Sequence, residues 1–418
     1  MRYSAASGLS HDNAVENRML SNSSSPVSSC DNQVGVKRRG FLQVATALAG
    51  VSQVISPAKA GTQQPSQAVA AGTSKARLTV EDVYARARQA LYPICRVCRQ
   101  CDGVVCAGEF PGLGGVGSGT SFQNNFQALK RVELKLRTLT GVATVEKKPD
   151  TSVTIFGQKL SLPAIAAPVG GLRNMGNRMP AEAYFDSIVG GCVDAGTAGG
   201  IGDEPTAPDM LKMRCDIVAR YRGKALVCLK PRPNPNFIEV LPIVEAAGTF
   251  MIAIDVDSAA RYAGQAPGVM VGTKTAAQLR ELVRATRIPV VLKGIMTPDE
   301  AMLAGEAGAA GIVVSNHGGR VLDHTPGTAD VLPAIADKVK GKMVIFVDGC
   351  VHYGVDVFKY LALGADAVLV GRHLIRAAFG GGREGVTLFV NTMRDELESA
   401  MVMTGVPNIQ NITRHVIA

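Results

Sequence analysis

The run Ser315-Asn316-His317-Gly318-Gly319-Arg320 sets an imidazole and a guanidinium three residues apart in a glycine-containing turn, so both can reach one small ligand. An imidazole there can act as a base at neutral pH, an effect worth ~10²–10⁴-fold in rate. The planar fork of Arg320 can clamp a carboxylate. Asp257 could orient the imidazole and stabilise its protonated form. Lys293 offers a cation to charge that develops on a bound ring; taken alone, it reads as an ammonium that reaches solvent or pairs with a carboxylate. Asp348-Gly349 and Gly371-Arg372 combine small residues, backbone N–H groups and an arginine, a combination suited to phosphate, although either could be an ordinary turn.

These residues need a scaffold that brings them together. From about residue 160 the chain alternates apolar runs with helical stretches. The runs are Ala164–Ala167, Ala195–Ile201, Ala225–Leu229, Met251–Asp257, Pro289–Lys293, Gly311–Ser315, Met343–Val347 and Ala367–Val370. Most are continuous, as in parallel strands buried on both faces. Thr297-Pro298-Asp299-Glu300 predicts a capped helix start, and Gly364 predicts the stop of a helix over Asp356–Leu363. Eight strand–helix alternations fit a (β/α)₈ TIM barrel, an α/β fold whose functional groups lie at the carboxyl ends of the strands. The chemistry-bearing residues fall there: Asp257 after strand 4, Lys293 at strand 5, Ser315–Arg320 after strand 6, Asp348-Gly349 after strand 7, Gly371-Arg372 after strand 8. No G-x-G-x-x-G fingerprint opens the first unit, which disfavours a doubly wound sheet.

The 418 residues are 46% hydrophobic and 19% charged, which excludes global disorder. The net charge of +9 is partly N-terminal, since residues 1–60 hold six Lys/Arg against three acids. The remaining mild excess suits an anionic cofactor or substrate. It lacks the basic stripes and interleaved aromatics that nucleic acid would require. Val36-Lys37-Arg38-Arg39-Gly40-Phe41-Leu42 has the twin-arginine form, followed by a weakly apolar run and by Pro57-Ala58-Lys59-Ala60, a small-x-small cleavage pattern. The expectation is a periplasmic protein exported by the twin-arginine route, with no stable membrane span. Residues 1–60 are then a signal peptide, 61–80 a linker, 81–123 a Cys-rich N-terminal segment and 124–418 the barrel.

Cys95, Cys98, Cys101 and Cys106 read C-x₂-C-x₂-C-x₄-C. The first three resemble the start of bacterial ferredoxin motifs, whose thiolates hold a [4Fe–4S] cluster. A tetrahedral Zn site and two disulfides stay open beside it. If the set holds iron, electrons could leave through it to a respiratory acceptor. The glycine-rich Gly112–Gly119 that follows reads as a loop over the barrel mouth.

The run S-N-H-G-G-R-x-L-D at 315–323 resembles the hallmark of the FMN-dependent α-hydroxy-acid oxidase and dehydrogenase family. Leu292-Lys293-Gly294-Ile295, the D-G-x-V-x-x-G frame from 348 and Val370-Gly371-Arg372 match as well. The resemblance implies FMN as cofactor, His317 as base with Asp257 as its partner, Arg320 on the substrate carboxylate and Lys293 on the flavin. It also implies FMN contacts from Pro168-Val169-Gly170, Ser315, Gly349 and Gly371-Arg372, with Asp348, Cys350 and His352 in the same turn. The sequence departs from the family more on the substrate side than on the flavin side. Glu109-Phe110-Pro111-Gly112 and Cys228-Leu229-Lys230-Pro231 stand where the family has tyrosines, Arg261 is the sole nearby candidate for a second substrate arginine, and His352 and Cys350 replace an Arg and a Gly. The expected function is oxidation of a 2-hydroxy acid or related carboxylate to the 2-oxo acid. An FMN-dependent isomerase and a non-catalytic flavin electron carrier are the alternatives. Substrate, acceptor and any homo-oligomer stay open.

Overall fold

The computed structural model describes residues 77–109, 112–142, 147–204, 208–259 and 271–418, all within one compact unit. The twin-arginine run, its cleavage pattern and Arg261 lie outside the described residues. Eight parallel strands form the sheet: β1 (Ala164–Ala166), β2 (Gly199–Gly202), β3 (Ala225–Leu229), β4 (Met251–Asp255), β5 (Val290–Ile295), β6 (Gly311–Val314), β7 (Val344–Val347) and β8 (Ala367–Val370). Their order is β1-β8-β7-β6-β5-β4-β3-β2. The Ala166 N–H donates to the Ala198 carbonyl at 3.1 Å, which draws the two ends of the sheet together. The expected TIM barrel is the observed fold.

The strands are short because two faces must be filled at once. Inward positions carry Ile165, Leu226, Cys228, Met251, Ala253, Val291, Val313, Phe346 and Leu369, which form one buried cluster inside the barrel. Outward positions such as Val227, Ile252, Ile254, Leu292, Ile312 and Val347 join the larger core beneath the surrounding helices. A hairpin that the sequence reading did not foresee, Val153–Ile155 with Gln158–Leu160, packs Ile155 and Leu160 against the inner cluster. Its Phe156 ring lies 6.4 Å from Phe346, so the hairpin closes one end of the barrel.

Two helix ends follow their sequence signals. Thr297 caps the helix Pro298–Glu306 by accepting from the Glu300 N–H. Gly364 ends the helix Gly354–Leu363 in the left-handed region, with φ 119°. Strand boundaries needed correction by two residues or more at three places. β4 ends at Asp255, and Asp257 sits in the short 3₁₀ turn Val256–Ala259; β5 runs on to Ile295, two residues past Lys293; and β2 starts at Gly199, four residues later than expected. The N-terminal helix Val80–Leu91 packs along the long last helix, Arg372–Thr404, through Val83 and Gly380. Among the described residues, no helix is long and apolar enough to cross a membrane.

Candidate active site

The period of two that fills the barrel also builds its mouth. Met251 and Ala253 point inward, so Asp255 does too; Val291 is followed by Lys293, Val313 by Ser315, Phe346 by Asp348, and Cys228 by Lys230. Apolar layers therefore give way, one step up each strand, to a charged layer. Asp255 and Lys293 are register partners on β4 and β5. Lys293 Nζ lies 3.1 Å from Asp255 Oδ1 and 3.7 Å from Asp257 Oδ2. It is buried and paired, so it does not reach solvent. Burial alone would lower its pKa, but Asp255, Asp257 and Asp348 override that and raise it. Burial likewise opposes the charge on Asp255, yet Lys230, Lys293 and His317 hold its carboxyl well below the usual range.

His317 enters this layer from the loop after β6. Its Nδ1 lies 3.0 Å from Asp257 Oδ1, 3.5 Å from Asp255 Oδ1 and 3.3 Å from Lys293 Nζ. With two carboxylates facing Nδ1, the hydrogen-bond network assigns the proton to that nitrogen and leaves Nε2 as the acceptor. Lys230 and Ser258 belong to the same cluster: Lys230 Nζ donates to Asp255 Oδ2 at 2.6 Å and to Ser258 Oγ at 2.7 Å. Asp255, Lys230 and Ser258 were missed in the sequence. For Asp255 and Lys230 the inward parity of their strands was the available signal; Ser258, in an irregular turn, had none.

The His317 loop is held in a conformation that most residues avoid. His317, Gly318 and Gly319 have φ of 58°, 64° and 75°, three left-handed residues in succession. Three restraints impose it. The His317 N–H donates to Ser315 Oγ at 3.0 Å. The buried Asn316 amide exchanges hydrogen bonds with Asn125 (2.7 and 3.1 Å) and reaches Thr325 Oγ1. The Gly319 carbonyl accepts from the Val116 N–H at 2.8 Å. Asn125 lies on the helix Thr120–Lys130, so a segment ahead of the barrel positions the loop. A Cβ on Gly319 would stand 2.5 Å from the Phe122 nitrogen. Gly319→Ala is therefore expected to lose about 1–2 kcal/mol to left-handed strain alone, and to displace His317. A Tm drop together with slower flavin reduction by substrate would bear this out; wild-type values for both would refute the restraint.

Asp323, the last residue of the hallmark run, pins the glycine-rich loop. It accepts from the Ser118 N–H (2.5 Å), the Ser118 hydroxyl (2.7 Å) and the Ser121 N–H (3.3 Å). Those bonds, with one from the His324 N–H, outweigh burial and pull its pKa to about 2. A carboxyl depressed in the fold adds stability above its unfolded pKa of ~3.9, and that contribution is lost as pH falls toward the folded value. Asp323→Asn should thus be less stable than wild type at pH 7, and the gap should close between about pH 4 and 2 in urea titrations. A gap that does not depend on pH would remove the carboxylate from this role.

Arg320 is half-buried and donates to the Gly112 carbonyl. Burial, and then the charge of Arg372, pull its pKa to about 9. Arg372 opens the last helix directly after Gly371. Its guanidinium donates to the Leu113 and Gly318 carbonyls at 2.7 and 2.9 Å and stacks 3.9 Å over the Phe122 ring. With the Arg372 side chain occupied by those carbonyls, the helix start that follows β8 is the part of this turn left to meet a phosphate. Pro168-Val169-Gly170 follow β1, where a Cβ on Gly170 would meet the Asp203 carbonyl. Cys350 and His352 turn away from the layer. Cys350 Sγ faces the Phe122 carbonyl at 3.9 Å, and His352 stacks 3.6 Å from His373 and bonds Tyr84. Burial, then Arg376, push His352 down to about 4, so it brings no cation to a phosphate.

The mouth has the donor set an FMN needs. A buried ammonium stands beside the space above the strands, a helix N-terminus offers N–H groups to a phosphate, and Oδ2 of Asp257 and Oδ1 of Asp348 are buried without a hydrogen-bond partner. A flavin edge carries both carbonyls and an N–H, which fit such a mixture.

Comparison with known proteins gives the same picture. The family model for FMN-dependent dehydrogenase matches residues 113–198 and 216–418. The chain is 45% identical over 139 residues to a 2-hydroxyacid oxidase of Dictyostelium discoideum, a match spanning 33% of this chain and 36% of that relative's length. Against glycolate oxidase 5 of Oryza sativa subsp. japonica the identity is 29% over 330 residues, 71% of this chain and 87% of the relative. A solved mandelate oxidase with 2-hydroxy-phenylacetamide superposes with a TM-score of 0.65 at 28% identity, covering 80% of this chain and 97% of that one. Another mandelate oxidase structure, holding a C4a-OH-FMN adduct, gives 0.63 at 28% identity over 79% and 97% of the two chains.

Proposed function

This chain belongs to the FMN-dependent dehydrogenase family, and from that premise we propose that it oxidises a 2-hydroxy acid to the 2-oxo acid, with His317 as base. The observation that carries the reading is the clamp on His317 Nδ1, 3.0 Å from Asp257 Oδ1, which orients Nε2 as the proton acceptor. Arg320, three residues from His317 in the same loop, takes the substrate carboxylate through its planar fork. His317 receives the proton released as the α-carbon is oxidised, and the carboxylates of Asp257 and Asp255 stabilise the imidazolium. Lys293, between three carboxylates and the cofactor space, favours negative charge on a reduced ring. FMN, when bound, supplies the two-electron acceptor.

Substrate identity turns on the mouth's other wall. Lys230 stands near where the family has a tyrosine, and its ammonium is tied to Asp255. This favours a carboxylate with further polar groups over a plain short-chain hydroxy acid. The reading also includes export by the twin-arginine route, which fractionation of expressing cells would test. The direct test mixes FMN-loaded protein with a panel of 2-hydroxy acids without oxygen. Bleaching near 450 nm by at least one acid, with the 2-oxo acid as product, is the expected result. No bleaching by any member would overturn the reading.

A further inference from the structure

The four cysteines ahead of the barrel lie together, outside the His317 cluster. Cys95, Cys98, Cys101 and Cys106 line one small cavity, whose far wall is Leu113, Phe122, Arg372 and Arg376. All four thiols are free. Arg376, one turn into the last helix, is 2% exposed, and its Nη2 donates to Cys101 Sγ at 3.1 Å and Cys95 Sγ at 3.5 Å. Its Nε and Nη1 are buried without any partner. A guanidinium buried in this way is unfavourable unless negative charge and acceptors meet it.

We propose that this cavity is an iron–sulfur site, in which the four thiolates hold a [4Fe–4S] cluster with Arg376 as its counter-ion. Arg376 separates disulfides from a metal-held set. Two disulfides would neutralise all four sulfurs and leave Arg376 buried with no negative charge; a thiolate-held cluster keeps net negative charge and adds sulfides that accept hydrogen bonds. Between the metals, the C-x₂-C-x₂-C spacing shared with the start of bacterial ferredoxin motifs favours the cluster over a tetrahedral zinc, and metal analysis distinguishes the two.

The site adjoins the first one. Arg372 lines the cysteine cavity and also donates to the carbonyl of Gly318, next to His317. Gly112, six residues past Cys106, receives Arg320. Resting on the proposed substrate oxidation, the cluster is then an electron exit. Each 2-hydroxy acid oxidised to a 2-oxo acid releases two protons and two electrons. The cluster takes one electron at a time, so two successive transfers to an external one-electron acceptor, a haem or iron–sulfur protein, complete a turnover.

The test uses the full chain, purified without oxygen and with FMN bound. About four irons and four acid-labile sulfides per chain, with an electron paramagnetic resonance signal after dithionite, are expected. One zinc without sulfide, or no metal and no free thiol among the four, would overturn the proposal. Cys98→Ser and Cys101→Ser should lose iron and sulfide together, keep FMN, keep bleaching by substrate and lose reduction of ferricyanide several-fold. Should either variant fail to fold, Arg376→Gln provides the second measurement. Its cluster should be reduced at a more negative potential, and an unchanged potential would refute the counter-ion role. Metal content is read without substrate, so the two readings fail separately. Iron with no bleaching sinks the hydroxy-acid reading alone, and bleaching with no iron sinks the cluster alone.

Discussion

His317→Ala should slow substrate reduction of the flavin by about 10²–10⁴-fold while FMN stays bound. The size follows from the proposed role of the imidazole as base, a role for which Asp257 at 3.0 Å from Nδ1 is the orienting partner. Arg320 and Lys293 are untouched, so substrate binding and flavin absorbance should be close to wild type and the loss should fall on kcat. One confounding effect is conformational. His317 has φ 58°, a value alanine tolerates poorly and asparagine well. His317→Asn is therefore the cleaner variant, because it keeps the loop and removes the base. Anaerobic stopped-flow absorbance near 450 nm decides it. If either variant is reduced at the wild-type rate, His317 is not the base.

Lys293→Met should destabilise the protein by about 3–5 kcal/mol, the cost of removing one partner from a buried ionic cluster. Lys293 is buried among Asp255, Asp257 and Asp348, which together raise its pKa. A lysine raised in this way adds stability at all pH below its unfolded value of ~10.4, and loses it only as pH rises through the folded value, so the whole working range is affected. The variant also changes the acid limb. Asp255 is depressed by Lys230 and then Lys293, and its contribution is present above ~3.9 and lost as pH falls below. Without Lys293 that depression shrinks, and acid unfolding should begin at a higher pH. Urea titrations at pH 7 and pH 5 measure both effects. An unchanged midpoint at pH 7 would show that the carboxylates do not depend on this ammonium.

The barrel was legible because continuous runs such as Ala225–Leu229 and Ala367–Val370 can only be strands buried on both faces, and helices separate them at regular intervals. The His317–Arg320 loop was legible because glycines and catalytic residue types coincide there. The charged layer beneath it was half hidden. Asp257 stood out as an acid beyond a strand, whereas Asp255 looked like a strand terminus until its inward parity with Met251 and Ala253 was fixed. Lys230 was noted only for the tyrosine it replaces, and its bond to Asp255 depends on strand order. The direction of Arg372 was not readable either, since Phe122 and Leu113, its partners, lie some 250 residues earlier. Arg376 carried no sequence signal, for nothing in a linear chain sets a helix residue opposite cysteines 275 and 281 positions away.

The restraints on the His317 loop share one property, which bears on when the site comes into being. Asn316 is tied to Asn125 across 191 residues, Asp323 to Ser118 across 205 and Arg320 to Gly112 across 208. The strand pair that closes the barrel, Ala164 of β1 with Val368 of β8, joins chain segments about equally distant. Loop and barrel therefore draw on contacts of the same long range, which are slow to form because their loop closure must be met first. Neither can be set by a local piece of the chain alone.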